Sequence, residues 1–308
     1  MVSATRPTLY FIGVTTGSSS IMKVFPKWAK ALGLDAKIKG IDLTLHAPPE
    51  DYRKVVQFLR DDPLSLGALV TTHKIDLYNA CKDMFDYIDP YTKELGEVSC
   101  LSKRDGEFRA HAKDPISSGL ALEHFVPQNF WKEHGGEVVL LGAGGSSLAM
   151  SLYFAQEKWG DNIPGKITIC NRSTPRLESA KKHLQSISNR TKLEYVHCPI
   201  PADNDAVIAQ APPYSLVVNA TGLGKDAPGS PTTDNVQYPQ NSLSWEINYR
   251  GDLIFMRQAL AQKEAKNLHV EDGWVYFIHG WTQVISEVFD IPIEGELLEK
   301  LSNIAKNT

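Results

Sequence analysis

The sequence predicts an α/β fold in two domains, and three observations support it. Short apolar runs alternate with amphipathic segments along most of the chain. The length of 308 residues with 42% hydrophobic composition allows two hydrophobic cores of ordinary size. A glycine-rich turn between an apolar run and a helical pattern, near residue 142, indicates where the second domain begins its sheet.

The first 115 residues contain three runs typical of strands and a helix. The amphipathic segment "EDYRKVVQFLRD" has apolar residues at helical spacing. The strand-like runs are "TLYFIGVTT", "KIKGIDLTL" and "LGALVTT".

From about residue 135 a second α/β pattern begins. Helices are expected from about Ser146 to Lys158 and over "TPRLESAKKHLQSI". The strand-like runs around them are "EVVLLGAGG", "KITICNRS", "LEYVHCP" and "YSLVVNA". Short apolar runs separated by helices predict parallel strands covered on both faces. The tail from about residue 253 is helical in period.

The segment "LLGAGGSS" stands between a predicted strand and a predicted helix, which is the context of a dinucleotide-binding turn. Gly142 would allow the tight turn, and Gly144 would let the backbone approach a pyrophosphate. The helix start offers free N–H groups. The predicted cofactor contacts here are Gly142, Ala143, Gly144, Gly145 and Ser146. Ser147 stands where a third glycine is usual, and a turn without any ligand remains the alternative.

The next strand ends in "TICNRSTPR", with no Asp or Glu to bond a ribose 2′-hydroxyl. A guanidinium and small hydroxyls suit a 2′-phosphate. The residues predicted to bind it are Asn171, Arg172, Ser173 and Arg176, which makes NADP the expected cofactor. A solvated basic helix start is the alternative.

Composition excludes several classes of function. The formal net charge is −4 and no basic stripe is present, which disfavours nucleic acid as a partner. The four cysteines are widely spaced, so no zinc ribbon or disulfide framework is expected, and no metal site is predicted. The N-terminus lacks the pattern of a signal peptide, and no run suits a bilayer span. We therefore expect a cytoplasmic protein that binds a small molecule.

Several short segments in the chain correspond, in order, to the motifs of one enzyme family. "GVTTGSSSIMKVF" keeps the serines of G-x-P-x-x-H-S-x-S-P, and "LVTTHK" is a shortened N-V-T-x-P-x-K. "GEVSC" corresponds to G-A-V-N-T, and "AKDPISSG" keeps the aspartate of N-T-D-x-x-G. With "LLGAGG", "NRSTPR", "VVNATGLG" and "GWTQVI", these segments resemble the shikimate dehydrogenase family over most of the chain. The order of the motifs carries the specificity, since each is short.

The resemblance implies a two-domain enzyme with an N-terminal substrate domain and a Rossmann-type domain, which moves a hydride between NADPH and a ring ketone. Lys74 and Asp114 would lie beside the reacting oxygen. An ammonium can stabilise charge on that oxygen and deliver a proton, and a carboxylate can orient the substrate hydroxyl. Taken singly, either residue is also explained as a solvated surface charge.

The family also implies further contacts. Those expected at the substrate are Ser18, Ser20, Thr71, Ser99, Tyr249 and Gln283, and those at the cofactor are Asn219, Ala220, Thr221 and Gly222. The serines are also explained as a polar turn and Tyr249 as a packing residue, while His73 is interpreted as an ordinary loop histidine.

Three family asparagines are replaced, by Leu69, Ser99 and Ala112. Loss of buried polar partners changes which hydroxyl pattern a site accepts. The substrate therefore stays open among shikimate, quinate and a related cyclitol or cyclohexenone.

The expected domains are a substrate domain over 1–118, an NADP-binding domain over 119–252, and helices over 253–308 that return to the first domain. A monomer or homodimer is expected. Two other functions remain: an NAD-dependent quinate-type dehydrogenase, and a cofactor-binding regulator of the same fold without turnover.

Overall fold

The computed structural model describes residues 2–185, 191–225 and 227–308. The chain forms two compact units: one runs to Lys113 and also contains Gly280–Thr308, and the other is Asp114–His279. Within the residues that the structure describes, each unit has a sheet of six strands, so the predicted α/β class with two domains is confirmed.

The described helices, in chain order, are α1 (Ile21–Leu32), α2 (Pro49–Asp61), α3 (Lys74–Cys81), α4 (Pro90–Leu95), α5 (Asp114–Phe125), α6 (Phe130–His134), α7 (Gly145–Phe154), α8 (Thr174–His183), α9 (Pro201–Gln210), α10 (Ile254–Leu260), α11 (Lys263–Lys266), α12 (Trp274–Phe289) and α13 (Gly295–Lys306).

The sheet of the first unit is mixed. Its strands are β1 (Thr8–Gly13), β2 (Lys37–Asp42), β3 (Ser65–Val70), β4 (Tyr87–Ile88), β5 (Cys100–Arg104) and β6 (Glu107–His111), in the order β2-β1-β3-β5-β6-β4. β1 is parallel to β2 and β3, and β5 is antiparallel to both β3 and β6. The carboxyl ends of β1, β3 and β6 and the amino end of β5 therefore lie along one edge of this sheet.

Helix α2 shows why the predicted amphipathic segments fold as they do. Pro49 is the first residue of the helix, and Glu50 and Asp51 occupy its first turn. The positive end of the helix dipole stabilises acidic side chains there. Its buried residues recur at helical spacing: Tyr52, Val55, Val56 and Leu59. They join the core under β1 and β3.

The sheet of the second unit is wholly parallel. Its strands are β7 (Val138–Leu141), β8 (Lys166–Asn171), β9 (Lys192–His197), β10 (Leu216–Asn219), β11 (Leu243–Glu246) and β12 (His269–Glu271), in the order β12-β11-β10-β7-β8-β9. The strand order reverses between β7 and β10, which is the position where doubly wound sheets bind ligands.

The bounds of the two compact units differ from the bounds expected for the domains. β12 pairs with β11, and Phe255, Ala259 and Leu268 join the core of the second unit, so residues 253–279 stay with that unit. Only from Gly280 does the chain belong to the first unit, where Trp28 Nε1 donates to the carbonyl oxygen of Leu301 at 2.8 Å. The division after Lys113 likewise precedes the expected one at 118, because α5 belongs to the second unit.

Two predicted helices differ in length from the described ones. Helix α7 ends at Phe154, four residues before the expected Lys158, because Gln156 takes an extended conformation. Helix α8 is described to His183, and the expected end at residue 187 lies outside the described residues. Within the described ranges, no helix is both long enough and apolar enough to cross a membrane.

Candidate functional site

The loop after β1 carries the two candidate serines. Asp42 at the end of β2 fixes this loop, since its Oδ1 accepts from the Thr16 N–H at 2.8 Å and from Thr16 Oγ1 at 2.6 Å. Ser18 is exposed and its Oγ donates to the Thr15 carbonyl at 2.9 Å. Ser20 is half-buried and precedes α1. Both serines thus lie on a turn that a carboxylate of the neighbouring strand holds in place.

The loop after β3 carries Thr71 and Lys74. The N–H of Thr71 donates to the Ile12 carbonyl at 3.0 Å, and Thr72 takes a left-handed φ of 54°. Lys74 is the half-buried first residue of α3. The shortened motif therefore turns through a conformation that a β-branched residue rarely adopts.

His73 corrects an expectation. It is buried rather than an ordinary loop histidine, and its Nδ1 lies 3.0 Å from the hydroxyl of Tyr52. Burial lowers the pKa of His73, which favours a neutral imidazole. The contact with Tyr52 therefore holds His73, the residue before Lys74, against helix α2.

Glu97 was missed by the sequence analysis. It is fully buried, and the N–H of the next residue, Val98, donates to the Lys74 carbonyl at 3.2 Å. A buried carboxylate is stable only when it is paired or protonated. The available signal was the charged residue in "GEVSC" at the place of an alanine in the family motif.

Ser99, Lys113 and Glu287 connect the sheet edge to α12. The Lys113 N–H donates to Ser99 Oγ at 2.7 Å, and Lys113 Nζ lies 2.7 Å from Glu287 Oε2. Burial raises the pKa of Glu287, but the hydrogen bond from Lys113 and the nearby charges outweigh it, so that pKa lies below its ordinary value. Gln283 lies one turn before Glu287 on the same helix face.

Asp114 follows this cluster in the chain but begins α5 of the second unit. Its side chain is buried, and its carbonyl accepts from Ser118 Oγ at 2.7 Å. Lys74 belongs to the first unit. The pairing of Lys74 with Asp114 therefore stays a prediction.

The glycine turn between β7 and α7 has the predicted form. Gly142 has a φ of 114°, and a Cβ there would lie 2.8 Å from the carbonyl oxygen of Ala220. Gly144 precedes the helix, and a Cβ on it would meet no atom within 4 Å. Ser147, at the third glycine position, is buried and donates to the Gly142 carbonyl at 2.6 Å. The backbone at Gly144 and the N–H groups of Gly145 and Ser146 thus form an open helix terminus suited to a pyrophosphate.

The turn after β8 carries the expected cationic residues. Asn171 Oδ1 accepts from the Ser173 N–H at 2.9 Å, which shapes the turn. Arg172 and Arg176 are both exposed. His197, at the end of β9, lies with its Nε2 3.1 Å from the Arg172 carbonyl. Two guanidinium groups are therefore accessible at the end of β8 for an anionic ligand.

Asn219 ends β10 and is fully buried. Its Nδ2 donates to Glu246 Oε2 at 2.6 Å, while its Oδ1 accepts from the N–H of Thr221 at 3.0 Å and from Thr221 Oγ1 at 2.6 Å. Because the side-chain amide of Asn219 is occupied by these bonds, its role is to support the loop that follows. The accessible surface of that loop comes from half-buried Ala220 and Thr221 and from exposed Gly222.

Glu246 is a second residue that the sequence analysis missed. It ends β11, is buried, and accepts at Oε1 from the Asn248 N–H at 3.0 Å and from Asn248 Nδ2 at 2.6 Å. Burial raises the pKa of Glu246 to about 7, although these bonds and the charge of Lys225 act in the opposite direction. A glutamate closing an apolar strand was the only signal in the sequence.

Tyr249 packs against two aromatic rings of α12. Its ring centroid lies 5.8 Å from that of Trp274 and 4.4 Å from that of Phe277. This geometry agrees with a packing residue, and its contact with a substrate stays a prediction.

The chain is similar in sequence to curated proteins of one kind. No protein-family profile matches the sequence. The chain is 27% identical over 205 residues to the NADP(+) shikimate dehydrogenase of Dehalococcoides mccartyi, a match that covers 65% of this chain and 64% of that relative, less than two thirds of its length. The chain is thus similar in sequence to shikimate dehydrogenases, at low identity. The resemblance found in the motifs is thereby confirmed.

Solved structures show the same fold over nearly the whole chain. Quinate dehydrogenase from Corynebacterium glutamicum, in complex with NAD, has a TM-score of 0.76 at 19% identity and covers 98% of this chain and 99% of its own. Shikimate 5-dehydrogenase from Thermus thermophilus, in complex with NADP(H) and shikimate, has a TM-score of 0.69 at 19% identity, with 97% and 98% covered.

Proposed function

We propose that this chain is an NADP-dependent dehydrogenase or reductase that interconverts a ring ketone and its alcohol on a shikimate-like or related cyclic polyol. One observation carries the proposal. Lys74 follows β3 at the edge where the first sheet presents its candidate substrate residues, and the glycine turn and Arg172 follow β7 and β8 of a doubly wound sheet. This arrangement supports a chain that combines substrate chemistry with dinucleotide binding.

The second unit would hold NADP. The open backbone at Gly144 and the start of α7 would receive the pyrophosphate. Arg172 and Arg176 would bond the 2′-phosphate through charge-assisted hydrogen bonds. The bound nicotinamide supplies or accepts the hydride.

The residues around Lys74 would handle the substrate oxygen. When the carbonyl is reduced, the ammonium of Lys74 stabilises the charge on that oxygen and delivers the proton to it. The carboxylate of Asp114 would orient the same hydroxyl. Ser18 and Ser20 would donate to a substrate carboxylate, with Thr71 and Gln283 as further hydrogen-bonding partners.

The replaced asparagines support a substrate with another hydroxyl pattern than shikimate. Leu69 and Ala112 have no side-chain polar group, and Ser99 already receives the Lys113 N–H. A site with fewer hydrogen-bonding partners does not discriminate for every ring hydroxyl. We therefore place the substrate among cyclic polyols and cyclohexenones related to shikimate and quinate.

An NAD-dependent quinate-type dehydrogenase is the second candidate, favoured by the likeness to the quinate dehydrogenase solved with NAD. The absence of an acidic residue in "TICNRSTPR" argues for NADP instead. A cofactor-binding regulator without turnover is the third.

An absorbance assay tests the proposal, in which NADPH oxidation is followed with 3-dehydroshikimate and NADP reduction with shikimate and quinate. Both directions are also tested with the aminated or decarboxylated analogues of these compounds. Turnover with one ring substrate and a preference for NADPH over NADH is expected. A preference for NADH with quinate would support the second candidate. Tight NADPH binding without turnover on any compound would support the regulator.

A further inference from the structure

Asn219, at the end of β10, and Asn248, two residues after β11, both donate to one buried carboxylate in the second unit. Glu246 is 1% exposed, and each of its two carboxylate oxygens accepts hydrogen bonds from a different asparagine. Oε2 accepts from Asn219 at 2.6 Å, and Oε1 accepts from the main chain and the side chain of Asn248 at 3.0 and 2.6 Å. All three partners are N–H donors, so a carboxylate, which only accepts, satisfies each of them.

Both asparagines also form hydrogen bonds with the loop after β10. Asn219 Oδ1 accepts from the N–H and the hydroxyl of Thr221. Asn248 Nδ2 donates to the carbonyl of Thr221 at 3.2 Å. The N–H and the carbonyl of Thr221 are thus both bonded to residues that Glu246 holds, one from β10 and one from the segment after β11.

We propose that Glu246 is the positioning residue of the loop 220–224, and that through Asn219 and Asn248 it sets the affinity of the second unit for NADP. This rests on the proposed function, since it assumes that the loop faces the cofactor. Glu246 itself need not touch the ligand.

The variant Glu246→Gln tests the proposal with little change of shape. A glutamine amide has one accepting oxygen where the carboxylate has two, so its N–H groups would face either Asn219 Nδ2 or the donors of Asn248. Either arrangement sets donor against donor. We expect the Kd for NADPH, measured by fluorescence titration at pH 8, to rise about tenfold to a hundredfold.

A second substitution distinguishes positioning from a general loss of structure. In the double variant Asn219→Asp with Glu246→Gln, one oxygen of the new carboxylate on β10 can accept from the glutamine amide and the other from Thr221. The bond between the two strands is then restored with its direction reversed. The double variant should recover most of the NADPH affinity, and Asn219→Asp alone should lose it because two carboxylates would face each other.

Glu137→Gln is the matched control, because Glu137 precedes β7 at the opposite end of the sheet and should leave the Kd unchanged. Wild-type affinity in Glu246→Gln, or no recovery in the double variant, would overturn the inference alone. Failure of the wild-type protein to bind NADPH would overturn the proposed function together with it.

Discussion

Lys113, just after β6, and Glu287 on α12 form an ion pair at 2.7 Å, with side chains 14% and 13% exposed. Removing one partner leaves the other charge largely buried. We expect Lys113→Met to lower the free energy of unfolding by about 2–4 kcal/mol, measured by urea denaturation.

The exposed pair of Lys54 and Asp51 provides the comparison, with side chains 72% and 42% exposed. Lys54→Met should change stability by less than about 1 kcal/mol. Equal losses in the two variants would show that the Lys113 pair does not hold α12 to the sheet.

Two neighbouring glycines should separate folding from cofactor binding. Gly142→Ala forces a left-handed φ on alanine and brings its Cβ to 2.8 Å from the Ala220 carbonyl, so we expect a loss of about 2–4 kcal/mol in stability. Gly144→Ala meets no protein atom within 4 Å and should keep wild-type stability, while its methyl group obstructs the pyrophosphate and weakens NADPH binding. Thermal melts and NADPH titrations of both variants check this. If a folded Gly144→Ala protein bound NADPH normally, the pyrophosphate would not bind at this turn.

Lys74→Ala should abolish most of the turnover. Loss of a proton donor at the reacting oxygen costs about 10²–10⁴-fold in kcat, while the Kd for NADPH should stay unchanged because Lys74 lies in the first unit. Lys82→Ala, an exposed lysine just after the same helix, is the control. A wild-type rate in Lys74→Ala would refute the assignment.

Arg172→Ser should discriminate between the two nicotinamide cofactors. A charge-assisted hydrogen bond to the 2′-phosphate accounts for about tenfold to a hundredfold in affinity, so the KM for NADPH should rise by that factor with little change for NADH. Lys181→Ser, also exposed on α8, controls for the loss of positive charge. Equal effects on the two cofactors would count against a 2′-phosphate site.

The stability of the protein should depend on pH through Glu246. Burial raises its pKa in the folded state to about 7, above the 4.5 of a free glutamate, so between these values the folded chain binds a proton that the unfolded chain has lost. The contribution of this proton to the free energy of unfolding is fully present below pH 4.5 and is lost as the pH rises through 7. It amounts to about 1.4 kcal/mol per unit of pKa shift. Denaturation of the wild type and Glu246→Gln at pH 5 and pH 8 should show the wild type losing stability relative to the variant. A constant difference would mean that Glu246 has an ordinary pKa.

The segment "KDAPGSPTT", residues 225–233, is rich in turn-forming residues. Its one glycine and two prolines are typical of a surface turn, and Pro228 is exposed, but Thr232 is buried and its hydroxyl donates to Gln258 Oε1 at 2.6 Å. The Pro231 carbonyl accepts from Asn204 Nδ2 at 2.7 Å. These partners lie 26 and 27 residues away along the chain, where no local pattern points to them.

The sequence by itself determined the α/β class, the position of most strands, and the glycine turn after β7. These features depend on periodicity of apolar residues and on backbone conformations that only glycine adopts readily, both of which are local. The collinear motifs also located Lys74 and Asp114 within the family pattern.

Only the tertiary structure decided which charged residues are buried. Glu97, Glu246 and the pair of Lys113 with Glu287 look in the sequence like surface charges, since nothing local states that the chain folds over them. Pairing of β12 with β11 likewise kept residues 253–279 in the second unit, although their helical period resembled that of the returning tail. Burial and strand pairing are properties of distant segments brought together, and a one-dimensional pattern does not contain them.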